Sequence, residues 1–123
     1  MENLISEHDK VVAFIRDIQS PHFKVLDNLG GDKNYIAQLF PDIILINKNT
    51  EEPAFIIEVK RNGNIAQCIQ QWNSVPSIPA TLYIIVPETD LATAKSVAQV
   101  VGLQTKFGTY SIDGIGNIDV KYE

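Results

Sequence analysis

Two short apolar runs constrain the fold of this chain more than any other feature. They are Pro41-Asp42-Ile43-Ile44-Leu45-Ile46 and Ala54-Phe55-Ile56-Ile57-Glu58-Val59-Lys60. Both are rich in β-branched residues and short, so each reads as a strand. About seven polar residues, Asn47 to Pro53, separate them, which predicts a hairpin. Neither run alternates apolar with polar, as expected where helices cover a sheet on both faces.

The rest of the chain extends this pattern. Asn3 to Gln19 reads as a helix, because Leu4, Ile5, Val11, Val12, Phe14, Ile15 and Ile18 gather on one side of a wheel. Pro21 is its expected stop. Phe23 to Leu29 reads as a first strand ending at the turn signal Gly30-Gly31-Asp32. Ile65, Cys68, Ile69 and Trp72 recur at helical spacing, predicting a helix from about Asn64 to Val75, capped by Gly63-Asn64 and stopped near Pro76. Thr81 to Val86 is a buried strand. Leu91 to Val101 is a helix with Thr89 or Asp90 as N-cap and Gly102 as C-terminal glycine. Phe107 to Val120 alternates around a turn at Asp113 to Asn117 and reads as a hairpin. The order is α-β-β-β-α-β-α-β-β, an α/β layered fold in one domain spanning residues 1–123.

Charge and composition exclude several classes. Apolar residues make up 45% of the chain, ordinary for a globular protein and too many for a disordered one. No apolar run approaches the length of a membrane span. The start Met1-Glu2-Asn3-Leu4 lacks the basic and apolar regions of a secretory signal. The one cysteine, Cys68, allows neither an intrachain disulfide nor a cysteine metal cage, so the expectation is a cytoplasmic protein without a membrane role. Fifteen acids against ten Lys and Arg give a net charge of -5. Phosphate binding draws on cations. An acidic chain that binds nucleic acid must therefore cluster its bases on one face or share the task with a partner.

Chemistry concentrates at the ends of the two central runs. Strand side chains alternate, so Glu58 and Lys60 share a face and Val59 takes the other. Charged groups at the end of an apolar run are costly unless paired or bound to a metal. In a regular antiparallel hairpin Asp42 falls beside Glu58 and Lys60, so two carboxylates and a lysine converge at one rim. Hard oxygen donors of this kind suit Mg²⁺ (or Mn²⁺), and the Val59 carbonyl is within reach of such an ion. Lys60 then orients or deprotonates a water, or neutralises a phosphate. The plain alternative is a structural ion pair. A second acid-x-lysine triplet, Asp119-Val120-Lys121, lacks the preceding Pro-Asp strand and the following helix, and is set aside.

Pro41-Asp42, fifteen residues, Glu58-Val59-Lys60 on a second strand and then a helix together resemble the PD-(D/E)XK nuclease superfamily. The resemblance covers Asn3 to Val86, about two thirds of the chain. It implies a restriction-endonuclease-like αβββαβ core, a mixed central sheet flanked by helices, here followed by an extra C-terminal helix and hairpin. It implies Mg²⁺-dependent cleavage of nucleic acid, DNA in most members. Asp42 and Glu58 become metal ligands and Lys60 the catalytic lysine. Many members add a first-helix glutamate to the metal site, the place of Glu7 here, which otherwise reads as an exposed acid. A glutamine on the helix after the lysine often reaches the site. Gln67 and Gln71 compete for that place, with Gln71 taken as catalytic and a solvated polar face as the alternative. One subfamily has Gln-x-x-x-Tyr here, and this chain departs from it with Gln67-x-x-x-Gln71.

The remaining candidates are weaker. His8 reads as a satisfied core histidine, Trp72 as core, and Arg61 as a phosphate contact or a solvated strand end. The glycine pairs read as turns. The acidic balance predicts weak, salt-sensitive DNA binding by a monomer, and hence a homodimer or partner protein. The competing function is a non-catalytic binding or assembly module that keeps the fold.

Overall fold

The computed structural model describes residues 6–75 and 78–123. Its elements are α1 (Glu7–Gln19), β1 (Lys24–Asp27), β2 (Ile43–Ile46), β3 (Pro53–Val59), α2 (Ile65–Asn73), β4 (Thr81–Pro87), α3 (Leu91–Val101), β5 (Lys106–Ile112) and β6 (Ile118–Tyr122). The strands form one six-stranded mixed sheet in the order β1-β2-β3-β4-β5-β6. β1, β2 and β3 pair antiparallel, β3, β4 and β5 pair parallel, and β6 returns antiparallel to β5. The class and the element order are those expected from the sequence.

Sheet parity assigns the residues to layers. Ile43, Leu45, Ile57, Val59 and Ile85 pack with Val11, Val12 and Ile15 of α1 on one face. Ile56, Leu82, Ile84 and Val86 pack with Ile65, Ile69 and Trp72 of α2 and with Ala94 and Ala98 of α3 on the other. β3-α2-β4 and β4-α3-β5 are crossover connections between parallel neighbours, and their two helices share one face. Both faces of the central strands are therefore dry, which is why their sequences do not alternate. Glu58 lies between Ile57 and Val59, so its side chain takes the α2 face. Among the described residues, no helix is long and apolar enough to cross a membrane.

Element ends differ from expectation for local reasons. α1 starts at Glu7, where the Ser6 hydroxyl accepts the Asp9 N–H at 3.1 Å. The expected start at Asn3 and the stripe residues Leu4 and Ile5 lie outside the described residues, as does the Pro76 stop of α2. α2 is entered through a 3-10 turn over Asn62–Asn64, and the Asn64 side chain makes no capping bond. α3 closes on Gly102 at φ 80 as expected. Its start lacks a side-chain cap, because Asp90 instead accepts the Asn62 N–H at 3.0 Å, tying the α2 entry to the α3 entry. The final hairpin turn is held by Asp113, whose Oδ1 accepts the N–H groups of Ile115 and Asn117.

Candidate active site

The antiparallel register pairs Ile43 with Ile57, so one step further on Asp42 meets Glu58. The backbone ladder ends there, and two N–H groups are left for side chains to satisfy. Asp42 N–H donates to Glu58 Oε1 at 3.0 Å, and Val59 N–H donates to Asp42 Oδ2 at 2.7 Å. Each carboxylate thus completes the other strand. An extended residue points its N–H and C=O toward the same neighbouring strand, so the Val59 carbonyl faces the Asp42 side as well.

Lys60 follows directly. Its N–H donates to the Ile85 carbonyl at 3.0 Å, which fixes its backbone against β4. Its Nζ lies 3.8 Å from both Asp42 Oδ2 and Glu58 Oε1. The two carboxylates and the lysine expected to converge at one rim are together there.

The inner side of Glu58 is closed by α2. Oε2 accepts the Trp72 indole N–H at 2.8 Å, and the Cys68 thiol lies 3.8 Å away. Glu58 is 5% exposed. Burial pushes its carboxyl pKa up and the Asp42 charge adds to this, against Lys60, Trp72 and the Asp42 N–H. Burial also acts to raise Asp42, yet the hydrogen bond from His8 and the charge of Lys60 outweigh it and hold Asp42 below its ordinary value. For Lys60, burial favours the neutral amine, but Glu58 and Asp42 prevail and keep it charged. The Cys68 thiol is pushed up by burial and by Glu58, and stays protonated.

His8 departs from the expected core histidine. Its side chain is 40% exposed, and both ring nitrogens face carboxylates. Nε2 lies 2.9 Å from Asp42 Oδ1 and Nδ1 lies 2.8 Å from Asp9 Oδ1. Only the imidazolium donates at both nitrogens. The bond to Asp42 raises the His8 pKa against the opposing effect of burial.

The other candidates fall around this rim. Glu7, expected to complete the metal site, is engaged by Arg61. Gln67 and Gln71 are exposed on α2, whose sheet-facing positions belong to Cys68 and Trp72. His8, Val59, Lys60, Arg61, Asn64 and Tyr110 line a cleft of about 190 Å³ at the rim. Sequence reasoning missed Trp72 and Cys68 as partners of Glu58. The signal was present, because a buried indole N–H needs an acceptor and Glu58 shares the face that α2 covers. Among the described residues, no group of three or more His, Cys, Asp or Glu side chains is placed to hold a metal ion. The chain matches no protein-family model, no curated protein and no solved structure.

Proposed function

We propose that the chain is a metal-dependent nuclease that hydrolyses phosphodiester bonds, with DNA as the expected substrate. One observation carries the reading. Asp42, Glu58 and Lys60, separated in sequence, meet at one strand rim beside a cleft walled by His8, Arg61 and Asn64. The order helix, three strands, helix, strand supports a restriction-endonuclease-like core.

The donor set fits Mg²⁺. Asp42 Oδ2 and Glu58 Oε1 both lie 3.8 Å from Lys60 Nζ, and each accepts one backbone N–H and keeps a second lone pair. With the Val59 carbonyl, the protein offers hard oxygens in small number. Mg²⁺ is commonly held this way, by one or two carboxylates plus water and substrate phosphate, without an all-protein cage. Bound there, the ion supplies a Lewis acid for the phosphate and for water. His8 fixes the orientation of Asp42 through Oδ1. Lys60 offsets charge developing on the phosphate. Arg61 lines the approach. Glu7, engaged by Arg61, and Gln71, exposed on α2, are not needed by the reading. The net charge of -5 makes DNA binding weak and salt-sensitive, which favours a homodimer or a partner protein.

A second reading, a binding module without chemistry, is favoured by a different observation. The carboxylates are satisfied by the protein itself, and among the described residues no buried side-chain N or O atom lacks a partner. Thermal unfolding with and without Mg²⁺ or Mn²⁺ separates the two. At tenfold excess over Kd a site on the folded chain adds about 1.4 kcal/mol. The nuclease reading expects this rise in the wild type and its loss in Asp42→Asn, which keeps an acceptor for Val59 N–H. An unchanged wild type refutes it in favour of the module.

A further inference from the structure

The connection between β1 and β2 carries an aromatic pair that neither the core nor the candidate site uses. Tyr35 is 69% exposed and Phe40 is 46% exposed. Their ring centroids are 5.9 Å apart and their planes are tilted by 59°, so the two rings are not stacked in parallel on each other. The pair is rigidly presented. Ile36 and Leu39 exchange both backbone hydrogen bonds at 2.9 Å, which makes a two-residue turn of Ala37 and Gln38. Ile36 and Leu39 pack against the α2-side core, and the next pair outward, Tyr35 and Phe40, is left exposed.

That turn runs against local preference. Ala37 and Gln38 sit at φ 53 and 67, where residues with a Cβ are strained. Such strain persists only where the surroundings over-determine it. Here Asn28 does so. Its Nδ2 donates to the carbonyls of Asn34 and Pro41, and its Oδ1 accepts the N–H groups of Lys33 and Asn34. Its own N–H donates to the Asp42 carbonyl at 3.2 Å. The aromatic hairpin is therefore tied to the backbone of Asp42. Phe40 lies two residues from Asp42, at most about 7 Å along the chain.

We infer that Tyr35 and Phe40 form a stacking platform for an unpaired base beside the Asp42 rim, so that the substrate is single-stranded or locally unpaired nucleic acid. The inference rests on the reading of that rim as a nucleic-acid site. Two observations favour this occupant over a second copy of the chain or an apolar partner. Phe40 stands two residues before Asp42, and Asn28 ties the hairpin to the Asp42 backbone. The exposed Lys33, two residues before Tyr35, adds a cation to the same segment, and stacking on aromatic rings tolerates any base.

The test measures binding and cleavage of a labelled single-stranded DNA oligonucleotide and its duplex, at low salt with Mg²⁺. It compares the wild type with Tyr35→Leu/Phe40→Leu, Tyr35→Phe and Lys60→Ala, each checked for native circular dichroism. The wild type binds the single strand more tightly than the duplex. Tyr35→Leu/Phe40→Leu weakens single-strand binding about tenfold, and Tyr35→Phe, which keeps the ring, matches the wild type. Lys60→Ala binds the single strand and does not cut it. Equal binding by wild type and Tyr35→Leu/Phe40→Leu overturns the platform, as does a wild-type preference for duplex or no binding to either. A dimer that falls to a monomer in Tyr35→Leu/Phe40→Leu assigns the pair to self-association and also overturns it. Ring-dependent binding without cleavage by any variant supports the platform and refutes hydrolysis, so the two failures are distinct.

Discussion

Removing the indole N–H from Glu58 tests whether the buried carboxylate is held as described. Trp72→Phe deletes a 2.8 Å bond to Oε2, leaving on that oxygen only the weak thiol of Cys68 at 3.8 Å. A hydrogen bond to a buried charged group contributes about 1.5–3 kcal/mol. The smaller ring forfeits about 1 kcal/mol of packing. The sum is a loss of about 2.5–4 kcal/mol, or roughly 10–16 °C in Tm for a domain of this size. The comparison background is Glu58→Leu, where the indole has no carboxylate to serve and Trp72→Phe should cost only the packing part. The coupling between the two substitutions is then about 1.5 kcal/mol or more. Trp72 is the one tryptophan, so unfolding is followed by far-ultraviolet circular dichroism in urea, with EDTA to exclude metals. Equal costs in both backgrounds, within about 0.5 kcal/mol, would refute the indole–carboxylate bond and the reason given for burying Glu58.

Further outcomes follow from the same geometry. The folded-state pKa of His8 is raised above 6.5, so its contribution to stability is fully present below the unfolded value and is lost as pH rises through the folded value. The Tm advantage of wild type over His8→Gln is therefore largest near pH 6 and shrinks toward pH 9; a constant difference would contradict the Asp9–His8–Asp42 arrangement. Gly108 lies on β5 where an added Cβ would meet Ile85 Cδ1 at 2.6 Å and the Lys121 carbonyl oxygen at 2.7 Å. Gly108→Ala should cost about 1–3 kcal/mol in urea unfolding, because the β6 backbone cannot step aside. Cys68, buried with its pKa raised, should resist a thiol reagent at pH 8 until the chain unfolds; rapid native-state labelling would place it elsewhere.

Strands were legible because the central sheet is dry on both faces and interrupted by polar loops. The Asp42–Glu58–Lys60 meeting was legible for a related reason. Side chains on strands repeat every two residues, and a hairpin fixes which strand ends are neighbours. The α2 partners of Glu58 went unnamed, with Gln67 and Gln71 taken as the α2 candidates for the site, although parity carried the answer. Glu58 shares a face with Ile56, α2 covers that face, and so its partners belong to the apolar stripe of Cys68 and Trp72. Glu7 and His8 differ by about 100° on a helix wheel, too little for sequence to settle which one turns toward Asp42. The choice depends on Arg61, 54 residues away, taking Glu7. The 28–42 connection was opaque for a third reason. Ala37 and Gln38 adopt conformations that their residue types disfavour, held by the Asn28 bonds and by the packing of Ile36 and Leu39 against the core.

Nuclease activity is tested most directly by cleavage of a small panel: supercoiled plasmid, single-stranded DNA, a four-way junction and RNA. Each is incubated at low salt with Mg²⁺ or Mn²⁺, comparing wild type with Glu58→Ala/Lys60→Ala. The account predicts metal-dependent cutting by the wild type and none by the double variant. Cutting by both, or by neither when both are folded, would contradict it.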